Sequence, residues 1–168
     1  MNTVFEQYKA LNIDGSLISL QQSEEVYPYF CYPTNAKAIG FEGSIMYCFI
    51  EGYGETVFAS NPESCADIYV YPLARSFYDF ISLILACGSV NPVEQIVWMN
   101  KHQFEQHLHD EKEIQTTEQK ELLSFLEKEL HIAAMENVFE YVKEFQSDFD
   151  YSKIQFSDEY YDVLGIER

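Results

Sequence analysis

"SIMYCFIEGYGETVFAS", Ser44 to Ser60, is the stretch on which the fold of this chain turns. Two apolar runs flank a short turn that contains two glycines, and so short a connection joins antiparallel strands. In the first run Ile45, Tyr47 and Phe49 point to one side, and Met46, Cys48 and Ile50 to the other. Both sides are apolar, which predicts a central strand covered on two faces. "AIGFEG" (38–43) before it and "DIYVYP" (67–72) after it read as further strands, with Pro72 marking the exit. Past Arg75 the period changes from two to helical. In "SFYDFISLILACG" (76–88), Phe77, Phe80, Ile81, Ile84 and Leu85 recur at helical spacing. Ser76 caps the first turn, Asp79 follows three residues on, and Gly88 closes the helix.

Upstream, residues 3 to 11 suit a short helix with Val4, Tyr8 and Leu11 on one side. "NIDGS" then reads as a turn and "LISL" (17–20) as a short strand. Pro28 and Pro33 make "YPYFCYPTN" a packed but irregular segment. Downstream, "NPVEQIVWM" predicts a helix with Asn91 as cap and Pro92 in the first position. Further helices are expected over about 101–111, from Thr116 or Thr117 through "EQKELLSFLEKEL", over about 136–148, and in a last turn or two ending at Gly165. Strands gathered first and helices after them predict an α+β fold. We expect a central, mainly antiparallel sheet with helices packed on it and a helical C-terminal part. A single domain spans 1–168, strand-rich over about 16–72 and helical over about 76–168.

The charge excludes some functions. There are 28 acidic against 10 basic residues, a formal net charge of -18. Such a surface repels nucleic-acid phosphates and speeds encounter with basic partners. The chain is 47% apolar and 16% aromatic, which provides for a packed core. Cys31, Cys48, Cys65 and Cys87 form no CxxC pair, so neither a thiolate zinc site nor a redox motif is expected. The N-terminus lacks an apolar signal core, and no run approaches the roughly 18 apolar residues that span a bilayer. We therefore expect a cytoplasmic protein with reduced thiols, and no membrane or nucleic-acid partner.

Catalytic signatures are lacking. The GxG of Glu51–Gly54 opens onto a strand, whereas a phosphate cradle opens onto a helix N-terminus. His102 and His107 sit about 140° apart on a helix, which does not suit two imidazoles on one metal. No GxSxG elbow occurs. We expect no cofactor and no metal. The pairing of tyrosine with acid is more informative. Glu51, Tyr53 and Glu55 in the turn, with Glu63 and Asp67 beyond it, combine an aromatic anchor with carboxylates. That is a surface suited to gripping a basic protein, with Tyr53 projecting from the turn as its anchor. Tyr69 and Tyr71 fall on one strand face and also read as core.

The segments "IGFEGSIMYCFIEGYGETVFASNPES" and "VYPLARSFYDFISLIL" resemble the SUKH superfamily. The resemblance is carried by the strand pair with its turn, and by the helix start formed by Ala74, Ser76, Phe77 and Phe80, over about residues 38–87. It implies a non-enzymatic binding module of the immunity-protein type, which neutralises a bacterial toxin, often a nuclease, by binding it. A regulatory or scaffolding interaction domain, or a hydrolase with an unrecognised site, are the alternatives.

Overall fold

The computed structural model describes residues 2–23 and 25–167. A four-stranded antiparallel sheet runs in chain order: β1 (Ala36–Glu42), β2 (Ile45–Ile50), β3 (Val57–Ser60) and β4 (Val70–Ala74). With the helices around it the protein has the expected α+β fold. The sheet is a meander, so its connections alternate between two ends. The β1–β2 turn at Gly43–Ser44 and the β3–β4 connection share one end, and the β2–β3 turn lies at the other.

Among the described residues seven α-helices accompany the sheet: α1 (Val4–Ala10), α2 (Phe77–Cys87), α3 (Asn91–Gln95), α4 (Lys101–Glu113), α5 (Thr117–Leu130), α6 (Val138–Gln146) and α7 (Asp158–Leu164). The helix α2 starts where its sequence demands. Ser76 Oγ accepts from the Asp79 amide at 3.1 Å, and Gly88, at φ 90°, donates its N–H to Ile84 O. Its packing is wider than the expected stripe, because Leu83 is fully buried along with Phe77, Phe80, Ile81 and Ile84, while Leu85 is half-buried. A helix apolar on nearly every side belongs in the middle of a core. Phe5 and Tyr8 of α1, Leu126 and Leu130 of α5, and Val138 and Val142 of α6 share one apolar cluster with it. Side chains also tie the later helices down. Tyr141 Oη donates to Asp79 Oδ2 at 2.7 Å and accepts from the Arg75 amide at 2.8 Å, and Gln146 Nε2 donates to Pro72 O at 3.0 Å.

The alternation read in β2 is realised on both faces. Tyr47 is in the helix-side cluster, with Ile45 and Phe49 packed on it. Met46, Cys48 and Ile50 join Phe58, Val70 and Ile154 on the other face. Among the described residues no helix contributes a side chain to the cluster on that second face. It is closed by an irregular layer of Tyr32, Tyr53, Phe149, Tyr151 and Phe156. The segment 149–156 straps across it, with Thr34 N–H donating to Gln155 O at 2.7 Å and the Asn35 side chain linking Lys153 O and the Gln155 amide.

Two local expectations change. "LISL" is not a strand. Residues Gly15–Ile18 form a 3₁₀ turn, capped by Asp14 Oδ1 on the Ser16 amide, and only Gln21 bridges to Phe41. The turn is tight because Leu20 N–H donates back to Gly15 O at 2.8 Å. A Cβ at position 15 would stand 2.0 Å from Leu20 O, so only glycine fits. Asn91 is not a cap either. The helix α3 follows Val90 with no side-chain cap, and the Asn91 amide is used elsewhere. Among the described residues no single helix is long and apolar enough to cross a membrane. The pair Phe77–Cys87 and Asn91–Trp98 meets that length and composition only when joined, and it bends by 102°.

Candidate functional site

The five residues expected to meet a partner do not lie together. Glu51, Tyr53 and Glu55 sit at the β2–β3 end, and Glu63 and Asp67 at the other, about 15–20 Å away along strands of this length. Glu51, Glu55, Glu63 and Asp67 are exposed. Tyr53 does not project. Gly52 and Gly54, at φ 99° and 60°, turn the chain so that the ring folds inward. It stacks on Phe149 at 5.4 Å and meets Phe58 edge-on at 5.1 Å. Its hydroxyl donates to Asp150 O at 2.8 Å and accepts from the Lys153 amide at 3.0 Å. Tyr53 is thus the anchor of the C-terminal strap, and the expected free aromatic tip is corrected to an internal joint.

The other end of the sheet carries a cavity of about 320 Å³. The β1–β2 turn forms one wall, Asn61, Glu63 and Cys65 a second, and Glu94, Gln95 and Trp98 a third. Glu94 is only 1% exposed. Tyr71 Oη donates to its Oε2 at 2.5 Å, Gln95 Nε2 to its Oε1 at 2.7 Å, and Asn61 Nδ2 reaches Oε2 at 3.5 Å, the limit of a hydrogen bond. Glu42 is half-buried and is held by Tyr47 Oη and Asn91 Nδ2, each at 2.9 Å. Asn91 Oδ1 lies 2.8 Å from His107 Nε2, which is 4.0 Å from Glu111 Oε1. This network is where the Asn91 amide is spent. Trp98 stands 39% exposed, its Nε1 fixed on Gln95 Oε1 at 2.5 Å.

Burial pushes the Glu94 carboxyl above its ordinary range, and the neighbouring Glu42 charge adds to this. Hydrogen bonds from Tyr71, Asn61 and Gln95 oppose the shift. Burial also raises Glu42, against the hydrogen bonds of Asn91 and Tyr47. Between described residues, neither carboxylate has a Lys or Arg within ion-pair distance. Among the described residues no three His, Cys, Asp or Glu side chains converge as a metal set. All four cysteines are free, Cys65 exposed at the cavity and the others buried.

The raised carboxyls carry a stability consequence with a definite sign. A group whose folded pKa lies above its unfolded one contributes stability that is present below the unfolded value and is lost as pH rises through the folded value. Denaturant melts are therefore expected to show a higher midpoint at about pH 5 than at about pH 8. The overall charge of -18 works in the same direction, so Glu94→Gln isolates the local part. The variant should gain most on the wild type at the higher pH. An equal gain at both would disprove the assignment.

Sequence reasoning missed Glu42, Asn91, Glu94 and Trp98. The one available signal was Glu94 itself, an acid between Val93 and Ile96 in an apolar stretch that ends at the chain's single tryptophan. Compared with known proteins, the chain matches no family model, no curated protein and no solved structure.

Proposed function

We propose that this protein is a non-enzymatic, cytoplasmic binding module of the SUKH immunity type, which holds a basic protein toxin, such as a nuclease. One observation carries the reading: at the β1–β2 end, acid and aromatic surface lie side by side. The acidic cavity adjoins, through Gly43, a second one of about 290 Å³ lined by Tyr27, Tyr29, Tyr32 and Phe41. The Tyr27 and Tyr29 rings lie 4.6 Å apart, Tyr29 and Tyr32 5.4 Å, and Tyr32 Oη donates to Ser44 O at 2.5 Å, which ties the tyrosine loop to the turn. Tyr27 is 70% exposed. Apolar rings beside carboxylates supply contact area and steering for a cationic protein surface. Of the residues expected from sequence, Glu63 lines the acidic cavity, Asp67 lies in the β3–β4 connection at the same end of the sheet, and Glu51, Tyr53 and Glu55 lie at the opposite end.

A hydrolase is the second reading, favoured by two buried carboxyls, Glu42 and Glu94, that line one cavity, where perturbed titratable groups mark functional sites. The binding reading takes precedence because the acidic cavity continues through Gly43 into the exposed tyrosine loop, an extended surface of the kind a protein partner covers. The test is genetic and biochemical. The open reading frame beside this gene is expressed alone and with it. Growth arrest alone, rescue together, and a salt-sensitive complex of the two purified proteins are expected. A harmless neighbour, or a toxic one that this protein neither rescues nor binds, would overturn the reading.

A further inference from the structure

We infer that the cavity between the β1–β2 turn and α3 is a receptor for one arginine side chain of the basic partner. This rests on the binding reading above and names what that surface takes. A volume of about 320 Å³ is at the small end of ligand sites and suits a side chain better than a larger molecule. Its polar floor is Glu94 and Glu42, whose donors are all neutral: Tyr71, Gln95 and Asn61 for one, Tyr47 and Asn91 for the other. An ionised carboxylate offers about four acceptor positions. Glu42 fills two and Glu94 three, one of them at the outer limit of distance. Acceptor positions remain, and a charge on either group is costly here without a cation.

Among the described residues lining the cavity there is neither Lys nor Arg, so none of them neutralises it. Glu63 is exposed at the mouth and draws cations toward it. Trp98, pinned by its ring nitrogen and otherwise partly open, stands at the rim, where a cation can rest on the indole. Arginine fits this set better than lysine. Its planar fork can donate to two carboxylates at once, it stacks on aromatic faces, and it sheds water more easily than an ammonium.

Trp98 is the chain's single tryptophan, so its emission and its indole N–H resonance report on this cavity. The probes are three blocked tripeptides, acetyl-Gly-X-Gly-amide, with X arginine, lysine or the neutral isostere citrulline. The arginine peptide should shift both signals saturably, about tenfold more tightly than citrulline, with lysine between. Glu42→Gln and Glu94→Gln keep the shape and remove the charge, and each should weaken the arginine peptide about tenfold or more. Circular dichroism confirms that each variant is folded. If Glu94→Gln does not fold, Glu42→Gln decides. Equal binding of arginine and citrulline, arginine binding unchanged in the folded variants, or no response of Trp98 would each overturn the receptor. The two readings fail separately. Rescue that survives in Glu42→Gln and Glu94→Gln, with no arginine binding, keeps the binding module and removes the receptor. Arginine binding without rescue keeps the receptor and removes the toxin.

Discussion

Phe77→Ala is expected to lower stability by about 3–5 kcal/mol, the range for truncating a buried aromatic. The residue is fully buried at the start of α2 and is the hub of the helix-side core. Its ring lies 5.0 Å from Phe5, 5.3 Å from Tyr8, 5.9 Å from Phe80 and 6.2 Å from Phe49. These neighbours come from α1, α2 and β2, three elements far apart in the chain. None can close the space alone, so the cavity persists and the cost falls at the upper end. At about 2–4 °C per kcal/mol for a chain of this length, the melting temperature should drop by about 10 °C or more. Phe125→Ala, at a ring 41% exposed on α5, is the control and should change little. Equal melts for the two variants would show that α2 does not organise the core.

Tyr53→Ala is expected to cost about 2–3 kcal/mol, although the residue lies in a surface turn. It removes the ring between Phe58 and Phe149 and leaves the Lys153 amide without its acceptor. Tyr53→Phe separates the two effects. It keeps the rings stacked, loses the hydroxyl, and should cost about 1 kcal/mol. Limited proteolysis should cut the alanine variant within 149–156 well before the wild type, because the strap is then held mainly by Thr34 and Asn35. A variant that melts like the wild type and resists the protease would return Tyr53 to the free surface.

The sheet and α2 were legible because their signals are local. β2 alternates residue by residue, and Ser76 and Gly88 bracket α2 within its own sequence. The "LISL" segment misled because its residues favour a strand, while Asp14 and Gly15 just before it close a turn. Tyr53 misled for a different reason. A tyrosine between two glycines looks free until residues 149–153, a hundred positions later, return to cover it. The cavity is the least legible part. Glu42, Asn61, Tyr71 and Glu94 come from two strands, a connection and a helix, and only the folded chain brings them together. Asn91 matched a capping pattern, yet its amide serves Glu42 and His107 instead.

The strap also fixes the order in which the protein can be finished as it is made. All four strands exist once residue 74 has emerged, but the face bearing Met46, Cys48, Ile50 and Phe58 is closed by residues around 149–156. Roughly eighty more residues must be synthesised first, about 4–16 s at 5–20 residues per second. Throughout that interval a nascent chain carries an uncovered apolar sheet face, the kind of surface that aggregates or recruits chaperones. The sheet of this protein is therefore born dependent on residues 149–156, and a ribosome that stalls between the sheet and that segment leaves behind a sticky sheet.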